Sequence, residues 1–314
     1  MSMKKEKLKI LFFGGGAVGS YFAGMMSKNG HDISMITRGP HLEVIKNKGL
    51  TLETHWGNFN INLPVFEHIP RKKFDVIILA VKTYSVKQIL AEVKASLSEH
   101  TKVLCIQNGI FTYKLLRKEL PLQNVVNGLT YVDAVRVNPG VVKQFGQEAR
   151  IVLGKNDAHE KEKSRLQEIT SRSDSHETQF EFSNDIDRSV WEKLIMVAAS
   201  GSIMSYSGMS ALETFKLNEY IETMQSMIFE MFNAAVATGV DLDKEFPEIT
   251  LKNLLDRSDE IHSSLKEDLD HGRPLELDEI LGEAIRVGTL NGVSMENCEK
   301  VYLALKRYVK GNLN

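Results

Sequence analysis

Residues 8–19, LKILFFGGGAVG, decide the fold of this chain. An apolar run of strand character ends directly in a glycine-rich turn, and helical sequence follows over Tyr21–Lys28. Gly14, Gly16 and Gly19 have the G-x-G-x-x-G spacing, in which glycine lets the backbone approach a pyrophosphate while helix amides hold its charge. Glycines also occur in ordinary turns, but a strand before the turn and a helix after it favour a dinucleotide-binding unit.

More predicted strands follow the turn and alternate with helical sequence. With the first, they are Leu8–Phe13, Asp32–Ile36, Phe74–Val81 and Lys102–Ile106. This alternation predicts an α/β fold with a doubly wound parallel sheet. The chain then carries the paired strands Val125–Val137 and Val141–Phe145 around the turn at residues 138–140, followed by Arg150–Gly154, and we expect these to extend the sheet.

The C-terminal part of the chain has almost no strand character. Long amphipathic segments replace it at Val190–Met204, Leu217–Thr238 and Leu277–Leu290. We therefore place a domain boundary near Asn184. The prediction is a Rossmann domain over residues 1–184 and an all-helical domain over residues 185–314.

The composition excludes several classes of protein. Lys and Arg total 39 against 41 Asp and Glu, a net charge of -2, which argues against nucleic acid or an anionic membrane as a partner. The apolar runs are far shorter than the roughly 20 residues that span a bilayer, and the start of the sequence lacks a signal-peptide pattern. Cys105 and Cys298 match no metal or redox spacing. We expect a cytoplasmic protein without a metal site.

The end of the second predicted strand indicates which dinucleotide binds. Enzymes that use NAD usually place Asp or Glu there, to accept hydrogen bonds from the ribose 2′-hydroxyl. Here the sequence is Ile36-Thr37-Arg38-Gly39, without an acid. The guanidinium of Arg38 can pair with a 2′-phosphate through two hydrogen bonds, although a solvated surface arginine is the alternative. The sequence predicts NADPH.

Short motifs spread over nearly the whole chain accompany the glycine turn. They are Gly30-His31-Asp32, Thr37-Arg38-Gly39, His41-Leu42, Gln107-Asn108-Gly109, Trp191-Glu192-Lys193-Leu194, Ser263-Ser264, Gly272-Arg273-Pro274 and Glu276-Leu277-Asp278. In this combination the sequence resembles the ketopantoate reductase (2-dehydropantoate 2-reductase) family. The resemblance implies NADPH-dependent reduction of a small 2-oxo acid to a 2-hydroxy acid, with ketopantoate as the first candidate substrate.

The resemblance also implies roles for individual residues. It assigns contacts with the cofactor to Gly14, Gly15, Gly16, Ala17, Val18, Gly19, Arg38, Lys82 and Asn108. Lys193 is implied as the general acid, a role that typically contributes about 10²–10⁴-fold to the rate. Glu276 is implied as a second catalytic residue that positions the substrate hydroxyl or the lysine, Ser264 as a ligand of the substrate carboxylate, and Asn108 as a neighbour of both cofactor and substrate. From the residues alone, a solvated Lys193, a helix-capping Ser264 and an exposed Glu276 at a helix start stay open.

Three positions depart from the family pattern. Val197 and Gly201 stand four and eight residues after the lysine, and Leu281 follows the late Glu276-Leu277-Asp278 motif, where the family usually has Asn. A buried hydroxyl without a partner costs about 1–3 kcal/mol, so a less hydroxylated 2-oxo acid is the alternative substrate. A non-catalytic NADPH-binding sensor is the alternative of another class. The sequence leaves a homodimer open.

Overall fold

The computed structural model describes residues 7–259 and 261–311. Within these residues the chain divides into two compact units. The first contains the chain up to Gln107 together with Thr112–Ile186, and the second contains Asn108–Phe111 together with the chain from Asp187 onward. The main division thus falls two residues after the predicted boundary at residue 184, and four residues from the middle of the first part join the second unit.

The first unit is built on a sheet of ten strands in the described residues. They are β1 (Lys9–Phe13), β2 (Asp32–Ile36), β3 (Leu50–Thr54), β4 (Gly57–Ile61), β5 (Val65–Phe66), β6 (Val76–Leu79), β7 (Lys102–Cys105), β8 (Val125–Asn138), β9 (Val141–Gly154) and β10 (Gln179–Phe182). Their order is β4-β3-β9-β8-β7-β6-β1-β2-β5, and β10 pairs with β9. The part β5-β2-β1-β6-β7-β8 is parallel throughout, which confirms the doubly wound α/β fold. The order in which successive strands are added reverses between β1 and β6.

The central strand β1 supplies side chains to two apolar cores. Ile10 and Phe12 belong to one buried cluster, whereas Leu11 and Phe13 belong to another. Successive side chains of a strand point to opposite faces, so a continuous apolar run is needed where helices cover both faces of a parallel sheet. Among the residues that the structure describes, the α-helices of this unit are α1 (Ala17–Lys28), α2 (Gly39–Lys48), α3 (Val86–Ala95), α4 (Phe111–Glu119) and α5 (Glu160–Ser173).

The sheet extension is confirmed, but the separation of its second and third predicted strands is wrong. Val141–Phe145 and Arg150–Gly154 belong to the single long strand β9, which pairs antiparallel with β8. The register shifts between Val132 and Asp133, so residues 146–148 have no partner in the ladder. Because these residues are exposed and begin with glycine, their sequence is typical of a turn although the strand continues through them.

The second unit is all-helical in its described residues, as predicted. Its helices are α6 (Ile186–Ser207), α7 (Ala211–Thr214), α8 (Asn218–Ala237), α9 (Phe246–Asp256), α10 (Ser264–Asp270), α11 (Leu281–Leu290) and α12 (Glu296–Leu305). The predicted helix start at Leu277 is wrong, because residues 277–280 form a turn in which the Gly282 N–H donates to the Leu277 carbonyl. In the parts of the chain that the structure describes, every helix is too short or too polar to cross a bilayer.

Candidate active site

The glycine turn lies where the strand order reverses. The N–H groups of Gly14 and Gly15 both donate to the Ile36 carbonyl at the end of β2, at 3.1 and 2.9 Å. Gly14 has φ 122°, and a Cβ atom there would lie 2.6 Å from the carbonyl carbon of Ala80, just after β6. A Cβ atom on Gly19 would lie 1.9 Å from the Gly14 carbonyl oxygen. Side chains at these two positions would therefore push the turn away from the sheet and the helix.

Gly16 differs because it faces open space. A Cβ atom on it would have no heavy atom within 4 Å, so steric packing within the chain does not explain this glycine. Gly16 is the N-cap of α1, whose first turn has neither a capping side chain nor an acidic residue. The first amides of a helix lack intrahelical acceptors and carry the positive end of its dipole. The amides of Ala17 and Val18, beside open space, fit a phosphate group.

Arg38 and Lys82 follow the carboxyl ends of β2 and β6, on the two sides of β1. Arg38 is exposed and precedes α2, and no ion pair or hydrogen bond joins its side chain to the other described residues. Lys82 is half-buried and precedes the short 3-10 turn Thr83–Ser85. The position where an NAD enzyme usually has an acid is Arg38, between Thr37 and Gly39. The carboxyl ends of β2 and β6 therefore present two cations near the glycine turn, an arrangement that fits the phosphates of NADPH.

His41 was not assigned a role from sequence, yet it joins three elements of the first unit. Its Nδ1 accepts the Gly140 N–H at 2.8 Å, so its Nε2 carries the hydrogen and donates to the Ser20 hydroxyl at 3.1 Å. Burial, assisted by the charge of Arg136, lowers the pKa of His41 to about 4. The neutral imidazole thus holds α1, α2 and the turn between β8 and β9 together.

Lys193 and Glu276 are both buried in the helical unit. Each has 9% of its surface exposed, Lys193 on α6 and Glu276 just before the turn at residues 277–280. Neither a solvated lysine nor an exposed acid at a helix start describes them. Burial of two ionisable side chains is costly unless each has polar partners. Buried ionisable groups are concentrated at functional sites, so both residues are candidates for catalysis.

Gly109 brings distant parts of the sequence together within the helical unit. Its φ is 86°, and a Cβ atom on it would lie 3.4 Å from the Glu279 carbonyl oxygen and 3.7 Å from both the Ile280 Cα and the Leu194 Cδ1. The Ile280 N–H donates to the Glu276 carbonyl at 3.1 Å. This contact joins the chain segments that carry Asn108, Lys193 and Glu276.

Ser264 is exposed and is the first residue of α10, but it does not cap the helix. Its neighbour Ser263 does so, since the Ser263 Oγ accepts the Lys266 N–H at 3.3 Å. A Cβ atom on Gly201 of α6 would lie 2.7 Å from this same Oγ. The Ser263 hydroxyl therefore fills the space that a side chain at position 201 would occupy. The sequence patterns did not reveal that these two residues are neighbours.

The other two positions that depart from the family pattern, Leu281 and Val197, lie in different surroundings. Leu281 is fully buried in the apolar core of the helical unit, whereas Val197 on α6 is half-buried. The loss of Asn at Leu281 is thus a change in the core. Val197 and Gly201 remain as the candidate positions for an effect on substrate binding.

The turn that follows Glu276 carries two more acids. The Tyr302 hydroxyl donates to Asp278 Oδ1 at 2.7 Å, which holds the turn against α12. Burial raises the pKa of Glu279, and the charges of Asp278 and Glu276 act in the same direction. Glu279 therefore binds a proton at a higher pH than an ordinary glutamate. No group of three or more potential metal ligands occurs among the described residues.

Comparison with known protein families gives two matches that together span most of the chain. The family model described as ketopantoate reductase PanE/ApbA matches residues 10–158. The model of the C-terminal part of the same family matches residues 185–309.

Individual relatives extend this similarity over nearly the full length of the chain. A 2-dehydropantoate 2-reductase of Pyrococcus horikoshii is 30% identical over 291 residues, which are 90% of this chain and 91% of that protein. An uncharacterized oxidoreductase of Bacillus subtilis, YkpB, is 25% identical and covers 96% of this chain and 99% of its own length. A solved ternary structure of D-mandelate dehydrogenase with NADH and anilino(oxo)acetate superposes with a TM-score of 0.87 at 24% identity, covering 96% of this chain and 98% of that one.

Proposed function

The chain belongs to the ketopantoate reductase family of oxidoreductases, and from this premise we propose that it uses NADPH to reduce a small 2-oxo acid to a 2-hydroxy acid. Ketopantoate is the first candidate substrate. The observation that carries the proposal is the contact at Gly109, which joins the segments of Asn108, Lys193 and Glu276 inside the helical unit. A protein that only bound the cofactor would not need these polar residues in adjoining segments.

The choice of NADPH is argued from residues at the carboxyl ends of the parallel strands. Gly16 leaves room for a pyrophosphate at the start of α1, and Arg38 is an exposed cation where an NAD enzyme usually has an acid. The D-mandelate dehydrogenase structure, which has a similar fold, contains NADH, so the fold alone does not decide the cofactor. Arg38 and Lys82 support NADPH.

When bound, NADPH supplies the hydride that reduces the carbonyl carbon of the substrate. Lys193 donates a proton to the carbonyl oxygen as the carbon is reduced, so the product is an alcohol and the lysine is left neutral until it takes a proton from water. Before transfer, its ammonium polarises the same oxygen. Glu276 positions the lysine or the substrate, Asn108 holds both ligands, and Ser264 binds the carboxylate.

The test is oxidation of NADPH, followed at 340 nm, against a panel of 2-oxo acids that includes ketopantoate. We expect turnover with at least one branched 2-oxo acid and a parallel appearance of the 2-hydroxy acid. Lys193→Ala serves as the matched control for background oxidation. Tight NADPH binding without turnover of any member of the panel would replace this proposal with the non-catalytic sensor.

A less hydroxylated 2-oxo acid is the second candidate substrate. The observation that favours it is the half-buried Val197, an apolar side chain four residues after Lys193 where the family usually presents an amide. The D-mandelate dehydrogenase structure was determined with anilino(oxo)acetate, which is a 2-oxo acid derivative with an aromatic group. A pocket that lacks amide partners for a hydroxyl disfavours that hydroxyl by about 1–3 kcal/mol.

Kinetics with ketopantoate and 2-oxoisovalerate separate the two candidates. We expect Val197→Asn to raise kcat/KM for ketopantoate relative to 2-oxoisovalerate. Gly201→Asn should act only together with Ser263→Gly, because the Ser263 Oγ lies 2.7 Å from where the new Cβ would be. The same preference in all variants would mean that these positions do not contact the substrate.

A further inference from the structure

Gln107 has a buried oxygen atom with no hydrogen-bond partner. Gln107 follows β7, where the Ile106 N–H still donates to the Leu79 carbonyl of β6. Its side-chain Nε2 donates to the Val81 carbonyl at 3.2 Å. Its Oε1 is inaccessible to solvent, and no donor among the described residues lies within hydrogen-bond distance of it.

The bond to Val81 fixes the orientation of this amide. A carbonyl can only accept, so the nitrogen of Gln107 has to face Val81 and the oxygen has to face away. Val81 also adjoins the glycine turn, since a Cβ atom on Gly14 would lie 2.7 Å from the Val81 nitrogen. The unpartnered oxygen is thus held in place beside the candidate cofactor site.

Buried polar atoms in folded proteins almost always have a partner, and an orphan acceptor requires an explanation. Replacing the whole side-chain amide would cost the fold only the hydrogen bond from Nε2 to Val81. A ligand that brought a donor to Oε1 would complete the hydrogen bonding of the amide. The structure therefore favours a role in binding over a purely structural one.

The position of Gln107 on the sheet indicates which part of a dinucleotide supplies the donor. A dinucleotide lies across the point where strand order reverses, with one half on each side. Arg38, the candidate partner of the 2′-phosphate on the adenosine half, follows β2 on one side of β1. Gln107 follows β7 on the other side, beyond β6.

We propose that Gln107 Oε1 accepts a hydrogen bond from the nicotinamide riboside half of the cofactor, and so helps to position the nicotinamide. This inference rests on the proposed use of a nicotinamide dinucleotide. The donors on that half are the ribose hydroxyls and the carboxamide N–H groups. The adenosine half has no contact with Gln107.

The experiment compares two ligands on the same purified proteins by titration calorimetry. NADPH carries the nicotinamide riboside, and 2′,5′-ADP lacks it while it keeps the 2′-phosphate. In Gln107→Met, a substitution of similar length, we expect the Kd for NADPH to rise about tenfold to 100-fold, with the Kd for 2′,5′-ADP unchanged. Gln123→Leu, at an exposed glutamine of the same unit, should change neither affinity.

A third ligand, 2′-phospho-ADP-ribose, keeps the terminal ribose and lacks nicotinamide. Weaker binding of this ligand to Gln107→Met assigns the donor to a ribose hydroxyl, and unchanged binding assigns it to the carboxamide. Equal losses for NADPH and 2′,5′-ADP, or no loss for either, would overturn the inference. If the Met variant does not fold, Gln107→Asn replaces it in the same comparison. A wild-type protein that binds neither NADPH nor NADH would instead refute the proposed function.

Discussion

Acidification should weaken the first unit through His41. The pKa of this imidazole falls from 6.5 to about 4 because of burial and the nearby charge of Arg136. Below pH 6.5 the unfolded chain therefore binds a proton that the folded chain does not, and stability falls until the pH reaches about 4. At 1.36 kcal/mol per pKa unit, the full effect is about 3 kcal/mol, and about 2 kcal/mol is lost at pH 5.

The two tryptophans allow a clean assay. Trp56 lies in the first unit and Trp191 in the second, so Trp56 fluorescence in a Trp191→Phe background reports urea unfolding of the first unit. We compare this protein with the same background carrying His41→Gln at pH 7.5 and pH 5. Carboxylates titrate equally in both proteins, so their effect cancels. The stability advantage of His41 should shrink by about 2 kcal/mol at pH 5.

An NMR titration of the imidazole gives the direct measurement. We expect the tautomer with hydrogen on Nε2 at pH 7, because Nδ1 accepts the Gly140 N–H. Titration of His41 near pH 6.5, or a stability gap that is constant from pH 7.5 to pH 5, would refute the reasoning.

Three further substitutions test the cofactor site, the chemistry and the core. Arg38→Ala should raise the Kd for NADPH at least tenfold and leave that for NADH nearly unchanged; equal weakening of both would contradict the pairing with a 2′-phosphate. Lys193→Ala should lower kcat about 10²–10⁴-fold with normal NADPH affinity, and a near wild-type rate would remove the lysine from the mechanism. Glu162→Gln should destabilise the first unit by about 3–5 kcal/mol in the same unfolding assay, because it leaves two buried ammonium groups without a carboxylate; Glu160→Gln, exposed on the same helix, is the control.

The parts of the fold that depend on local pattern were predictable. The apolar run of β1 follows from burial on both faces of the sheet. The glycine turn before α1 follows from the close backbone approaches at Gly14 and Gly19, and both features appear in the sequence directly. Edge strands were not predictable in this way. β4, over Gly57–Ile61, is polar and largely exposed, so it lacks the apolar alternation by which strands are recognised. It forms because β3 offers it a ladder of hydrogen bonds.

The candidate site also has parts that could be predicted from the sequence and parts that could not. The candidate cofactor positions Gly14, Gly16, Gly19 and Arg38 follow from spacing along the chain, whereas the partner of Gly201 depends on tertiary contact. Ser263 and Ser264 are equally good helix caps by residue type. Only packing against α6 shows that Ser263 is the cap and that its hydroxyl occupies the space at position 201. Gln107 was part of a recognised motif, but its orphan oxygen is visible only when the surrounding atoms are placed.

The short segment at residues 108–111 makes the two units hard to express separately. A fragment that ended near residue 184 would carry Gly109 away from Leu194 and Ile280, and would expose Ile110, which packs against the core of the helical unit. A fragment that began at residue 185 would leave an open gap on the helices that this segment covers. Attempts to dissect the protein at the boundary in its sequence should therefore yield aggregating halves. Co-expression of the two halves, in which the segment can dock in trans, is the arrangement that would recover soluble protein.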